Sequence, residues 1–433
     1  MTTHSVLPLS AEELEVRAQE IEEWAETHFL DENGVVYSVI NRETQRPPDR
    51  SLFGDSYAAH LADAYVQGCA PEDFWAYENC GMTTGAYLQA MVSRHLVDHT
   101  PTALTRARRC YGALKHIYDL GKGYEEGFFP KIYGGKLSNQ TSTDQVLYCA
   151  MALDRYWPLA DALEQRQISH MIAEMVRFWV RRDYKFGYYD RPEIEWPLVR
   201  FPALLLLAYN HSHDESLKRE YHRLLALGVT DAPEFLRLAP KQSGETPTAA
   251  FEEEADAWLI IMTPDYMGMD VMQFDYKLRN DPDNERCAGW RNAIGQVWAE
   301  ARIMLAPGGK AHFCVLVDRK TGDVCRPDDR LPDDKIPESI YTLREAKWAR
   351  ATMTARSAVQ AAGVVPGSDD MVSAARHILA SMTIGDMVSL VDIDMSTPER
   401  VPPRYGCRSR FLCGDTMANW LWAYWQGRHQ DLW

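Results

Sequence analysis

The sequence predicts an all-α fold, an (α/α)6 toroid of about twelve helices. Three observations lead to it. Apolar residues recur at three- and four-residue steps along most of the chain, the period of helices with one buried face. The helical segments fall in antiparallel pairs, joined alternately by short and long loops at intervals of roughly 50–70 residues. No strand–helix–strand alternation and no Pro/Ser/Gly-rich linker interrupts the 433 residues, which excludes a parallel α/β architecture. A single toroid domain over residues 1–433 is therefore expected. An open helical solenoid competes with it, and the lack of a regular repeat consensus favours the closed ring.

Taken in order, Ser10–Phe29 opens on a cap and an acidic first turn and carries Leu14, Ala18, Ile21 and Trp24 on one face, a helix. Leu30–Arg50 is loop, with a short strand at Val35–Ile40. Tyr57–Gly68 is helical, Pro71–Cys80 reads as loop, and Met82–Asp98 as helix. Thr100–Leu120 is a helix with Pro101 in its first turn. Gly127–Gln140 is rich in turn and aromatic residues and reads as loop; from Thr141 to Trp157 the helical period returns. Helical pattern continues over Leu159–Asp183, Pro197–His211 and Glu215–Leu227, with an aromatic, acidic loop at Tyr184–Trp196. Ala249–Ile261 and Asn284–Met304 read as helices, and Gly308–Asp334 as a β-hairpin insertion around the alternating run Ala311–Asp318. Ser339–Ala362, Asp369–Met382 and Cys413–Gln426 supply the last helices, with loop at Val391–Tyr405.

Composition narrows the function classes. A formal net charge of −16 argues against nucleic acid, whose phosphates need a basic surface. No run of about 18 apolar residues offers a membrane span. The N-terminal residues Met1–Ser10 lack a basic segment followed by an apolar one, and the nine Cys show no metal or disulfide spacing. The expectation is a cytoplasmic protein with reduced thiols, no metal and no cofactor. The 13 Trp, 21 Tyr and 13 Phe suit a sugar cleft, although aromatics also fill large cores.

The candidate chemistry lies on the long loops. Asp144 falls at the start of the helix that follows the Gly127–Gln140 loop. A carboxylate there either rests on the positive helix end or acts as a catalytic acid/base. Tyr77–Tyr87, with Gly81 and Gly85 permitting close backbone approach, Tyr124–Phe128 and Tyr188–Trp196 occupy corresponding places before other helices. In a closed toroid these loops converge on one funnel.

Glu78-Asn-Cys-Gly-Met82, followed by Ser142-Thr-Asp-Gln-Val-Leu-Tyr-Cys-Ala-Met-Ala-Leu153, resembles the two catalytic-loop regions of the six-hairpin glycosidases that act on unsaturated uronic acids. Asp144 matches the family's second Asp. The first is replaced, because its His-Asp pair is Glu78-Asn79 here. Trp196-Pro-Leu-Val-Arg200 is similar to the family's Trp-x-Arg-Gly segment without its glycine. The resemblance covers mainly residues 75–215 and implies a glycoside hydrolase acting on glucuronyl or unsaturated uronyl oligosaccharides. Asp144 would be the acid/base with Glu78 or Asn79 beside it. Tyr77, Tyr124, Gln140, Gln145, Tyr188, Trp196 and Arg200 would bind substrate.

A hydrolytic carboxyl pair would join Asp144 to Glu78, Glu125, Asp190, Glu193 or Glu195. The alternatives are a lyase working by β-elimination, with Asn79, Gln140, Arg200, Tyr124, Tyr188 or His312 supplying neutraliser and base, and a sugar-binding toroid without catalysis. The partner expected is an oligosaccharide, with a homodimer as the default assembly. Glu252–Asp256 reads as a solvated helix start. Asp265, Asp270 and Asp275 lack a calcium-loop pattern. Arg404, Arg408 and Arg410 could hold a carboxylate at the rim or form surface ion pairs.

Overall fold

The computed structural model describes residues 9–54, 57–189, 191–234, 258–262, 264–301, 314–318, 324–325, 351–387 and 410–433. Its helices are α1 (Ala11–His28), α2 (Tyr57–Tyr65), α3 (Pro71–Tyr77), α4 (Cys80–Asp98), α5 (Pro101–Gly121), α6 (Thr143–Tyr156) and α7 (Ala162–Val180). They continue with α8 (Phe201–Ser212), α9 (Glu215–Ala226), α10 (Pro264–Asn280), α11 (Cys287–Ala301), α12 (Ala351–Ala362), α13 (Asp369–Ser381) and α14 (Gly414–His429).

Six of these form a closed inner ring. α4 packs on α14 and α6, α6 on α8, α8 on α10, α10 on α12, and α12 on α14. Inner helices are mostly apolar or small all round because they are covered on all sides, and the polar side chains they bury, such as Arg356 and Asn419, bond one another. Residues 80–93 of α4, 351–361 of α12 and 414–427 of α14 are all buried. Each inner helix has an outer partner: α5, α7, α9, α11 and α13 follow their inner helices, and α1 packs on α14. This is the predicted (α/α)6 toroid. Its seam joins the two ends of the chain: buried Glu22 of α1 accepts a hydrogen bond from Trp425 Nε1 of α14 at 2.6 Å and pairs with Arg94 and Arg106. The capping box that announced α1 is present, with Ser10 Oγ and the Glu13 carboxylate each accepting the other's backbone N–H.

The loops sort by end. Segments from inner to outer helix are short, such as 99–100, 157–161 and 213–214, whereas those leading into an inner helix are long, such as 122–142 and 181–200. The N-termini of the inner helices therefore share the end that carries the long loops. Small antiparallel pairs decorate it: β1 (Val39–Asn41) with β9 (Phe411–Cys413), β2 (Ile132–Tyr133) with β3 (Lys136–Leu137), and β4 (Lys185–Tyr188) with β5 (Arg191–Glu195). A three-stranded sheet orders β6 (Trp258–Met262), β7 (Cys314–Asp318) and β8 (Val324–Cys325).

Several expectations change. Pro71–Cys80 is mostly helix, since Pro71 stands at a first-turn position and Glu72 and Asp73 follow it there. The Tyr184–Trp196 loop is largely the β4–β5 hairpin. Trp258–Ile261 is strand, its β-branched and aromatic residues pairing with β7; residues 249–257 lie outside the described residues. Pro264–Asn280, read only for its aspartates, is an inner helix. There Asp270 accepts from the Glu234 N–H and Gln273, and Asp275 forks Arg279. The hairpin insertion is present as β7–β8. Residues 339–350 and 391–405, together with His312, Glu252–Asp256, Arg404 and Arg408, lie outside the described residues.

No helix among the described residues is long and apolar enough to cross a membrane. None of their His, Cys, Asp and Glu side chains gather in threes that could hold a metal ion.

Candidate functional site

The site is built where α4, α6 and α8 begin. α4 and α6 touch backbone to backbone: a Cβ on Gly85 would meet the Tyr148 carbonyl oxygen at 3.0 Å, and Cys149 Sγ lies 3.1 Å from the Gly81 carbonyl oxygen. The close approach anticipated for Gly81 and Gly85 is thus to α6, and it fixes the start of one helix against the other. Gln145 reinforces this by donating from Nε2 to the Glu78 carbonyl oxygen at 2.8 Å.

Ser142 takes the N-cap position of α6 without a side-chain cap bond, and Asp144 sits in the first turn. Asp144 is partly accessible as a residue, yet its Oδ1 is shielded and has no hydrogen-bond partner among the described residues. Burial disfavours its charge, but the Lys131 and Arg200 cations outweigh that and hold its carboxyl below the usual carboxylate range. Asp144 is ionised at neutral pH.

Lys131 is the charge at the centre. Its side chain is buried, and its ammonium donates to the Glu78 carboxylate, to the Glu78 carbonyl oxygen at 3.2 Å and to Tyr189 Oη at 3.1 Å. Burial alone would neutralise such an amine; the Glu78 carboxylate beside it, with Asp144 contributing, keeps it charged and raises its pKa. Tyr189 donates its hydroxyl to Glu78 at 2.6 Å, and its backbone N–H donates to Gln140 Oε1 at 2.7 Å. Tyr188 packs beside Tyr189 and edge-on to Trp196.

Arg200 closes the other side. It forks the Glu234 carboxylate at 2.9 and 3.1 Å and donates from Nη1 to Thr143 Oγ1 at 2.7 Å, next to Asp144 in the chain. Arg200 is buried, and burial is outweighed by Glu234 and Asp144, which hold it charged. Asp144 is therefore an ionised group set between two buried cations, each already committed to another carboxylate.

Around it Gln145 Oε1 and Trp196 Nε1 are shielded and have no partner among the described residues, besides Asp144 Oδ1, while the Ser142 hydroxyl and the Gln145 backbone N–H serve the Asp144 carboxylate and the Tyr133 hydroxyl meets Tyr189. Buried polar groups are ordinarily paired, so these atoms are open to a further hydrogen-bonding partner.

The structure thus brings together Asp144, Glu78, Gln140, Gln145, Tyr188, Trp196 and Arg200. Asn79 adjoins them, its backbone N–H held by Ser38 Oγ at 2.7 Å and its carbonyl oxygen accepting from Thr83. Tyr77 turns away to donate to Asp31 at 3.2 Å and pack on Tyr37. Tyr124 lies in an outer cleft with Glu193. Of the remaining acids, Glu125 is paired with Arg181 and Arg182, Glu195 with Lys185, and Asp190 is outside the described residues. Asp415, at the start of α14, is buried and accepts from Thr83 Oγ1.

Sequence reasoning missed Lys131, Tyr189 and Glu234. Lys131 had a signal, since a lone lysine in Phe128-Phe-Pro-Lys-Ile-Tyr133 has no polar neighbour to share a solvated surface with. Glu234 had none.

No family model matches the chain, and no curated protein matches it at a significant level. Solved structures do. An unsaturated glucuronyl hydrolase specific for heparin superposes with TM-score 0.53 at 10% identity, covering 97% of this chain and 96% of that one. A Listeria innocua protein gives 0.52 at 10% identity over 97% and 98%, and a sugar epimerase from a ruminal bacterium 0.51 at 12% identity over 96% and 98%. The fold they share with this chain is the (α/α)6 toroid. At these identities the likeness concerns architecture, and the chemistry rests on this chain's own residues.

Proposed function

We propose that the protein is a carbohydrate-active enzyme that hydrolyses uronic-acid-containing oligosaccharides, with Asp144 as the proton-transferring carboxylate. The observation that carries this reading is the shielded Oδ1 of Asp144, without a partner among the described residues, beside the likewise unpaired amide oxygen of Gln145 and indole N–H of Trp196 at the long-loop end of the toroid. Ionised at rest, Asp144 takes a proton from a water whose oxygen bonds to the sugar carbon as that carbon's bond to the glycosidic oxygen breaks, while Lys131 and Arg200 keep the carboxylate charged until the proton moves. A uronate adds a negative charge near Asp144 and raises its proton affinity on binding, so the same group can pass that proton to the departing glycosidic oxygen. Glu78, tied to Lys131 and Tyr189, acts as a positioning residue. The fold likeness to a glucuronyl hydrolase supports the sugar class.

A panel of saturated and unsaturated uronyl disaccharides tests the proposal. Turnover that disappears in Asp144→Asn, with the variant still folded, is the expected result; turnover that persists sinks it. One observation favours a second reading: an ionised base beside buried cations also suits proton abstraction next to a carboxylate, hence β-elimination. New double-bond absorbance from a saturated substrate identifies the lyase, and its loss from an unsaturated one identifies the hydrolase.

A further inference from the structure

Outward of Asp144, the β4–β5 hairpin and the 122–142 loop enclose an open cleft of about 430 Å³. It is continuous with the catalytic cluster, because Gln140 and Tyr189 line it while their polar groups bind each other and Glu78. One wall is aromatic. Tyr124 is 48% exposed, backed by Phe128 at 4.4 Å and set edge-on to Phe186. An exposed aromatic face held rigid from behind is a low-entropy platform for the C–H surface of a sugar ring.

The cations of the cleft are not equivalent. Arg182 is spent on a bidentate pair with Glu125. Lys185 meets the exposed Glu195 at 3.4 Å, an interaction that water screens and a ligand can displace. Arg191 has no carboxylate partner among the described residues. Its guanidinium lies over the Tyr188 ring at 5.4 Å from the centroid, a contact that uses the flat face of the group and none of its N–H donors. A guanidinium so placed fits a carboxylate with two parallel hydrogen bonds. Glu193 is the one acid in the lining and stands exposed beside it.

We infer that this cleft is a second sugar subsite, taking a unit that carries a carboxylate and selecting it through Arg191, with Tyr124 under the ring. The inference rests on the reading of Asp144 as a sugar-processing carboxylate. It adds a second point of charge selection, one unit away from the uronate at Asp144.

The test is calorimetric titration of the full chain carrying Asp144→Asn, which keeps the ligands intact. The probes are a disaccharide with a glucuronate at one end and the same disaccharide with that carboxylate reduced to the alcohol. The uronate form is expected to bind about tenfold more tightly, a ratio that falls towards one when Arg191→Met is added, because methionine keeps the packing on Tyr188 without the fork. Equal binding of both probes, or a ratio that survives Arg191→Met, overturns the subsite while leaving the sugar reading intact. Failure of both probes to bind overturns both.

Discussion

Lys131 is bound twice by Glu78, once through the side-chain carboxylate and once at the backbone carbonyl oxygen, 3.2 Å from the ammonium. The two bonds lock a buried amine to the junction between α3 and α4. Removing the amine leaves a largely buried carboxylate with Tyr189 as its remaining donor. We expect Lys131→Met to destabilise the protein by about 3–5 kcal/mol, the cost of breaking a buried pair. Adding Glu78→Gln should recover much of that loss in denaturant titrations; an additive second loss would contradict the pairing.

Arg200 predicts a pH effect of defined sign. Asp144 is held below the usual carboxylate range against burial by Lys131 and Arg200. A carboxyl lowered on folding contributes stability above its unfolded pKa of about 3.9 and loses it as pH falls through its folded value. As a base it is active when ionised, so the acid limb of kcat/KM should lie below about pH 4. Arg200→Met, made with Glu234→Gln to avoid stranding that carboxylate, should move this limb to higher pH. A limb that stays put would place the controlling ionisation elsewhere.

The glycine contact between inner helices predicts a net loss. Gly85→Ala gains about 1 kcal/mol of helix propensity. It also drives a methyl to 3.0 Å from the Tyr148 carbonyl oxygen and 3.3 Å from the Cys149 nitrogen, both backbone atoms that cannot swing aside. Overpacking of that kind costs about 1–3 kcal/mol, so thermal unfolding should fall to lower temperature. A raised melting temperature would mean that the helices separate freely.

Most of the ring could be read from the sequence, because helices with a continuous buried face carry their period openly. The elements misread were those whose character depends on partners elsewhere. Trp258–Met262 is a strand only by virtue of β7, more than fifty residues on. The aspartates at 265, 270 and 275 drew attention from the apolar positions of α10 around them, Met267, Met272 and Phe274, which are buried. In the site, Asp144 stood out by its place at a helix start. Arg200's fork with Glu234 did not, since 34 residues of chain separate an ion pair that only the toroid closes. Lys131 was overlooked inside the very loop that pointed to Asp144.

Buried Lys277, in the last turn of α10, supplies a test at the other end of an inner helix. Its ammonium lies over the Phe274 and Trp290 rings with no hydrogen-bond partner among the described residues. Burial lowers its pKa to about 7 despite Asp231 and Asp270 nearby, with Arg286 adding to the lowering. Between about pH 7 and the unfolded value of about 10.4 the unfolded chain binds the extra proton, so this residue makes stability rise with pH across that window. Lys277→Met should stabilise the protein at neutral pH by on the order of a few kcal/mol and flatten the pH dependence of Tm above 7. An unchanged slope would show that the amine stays charged.

The most direct measurement is turnover of uronyl disaccharides by Asp144→Asn, with Tm followed in parallel. The account predicts at least a hundredfold fall in kcat, within the roughly 100- to 10,000-fold range of a lost acid/base, with folding intact. Wild-type turnover in that variant would contradict it.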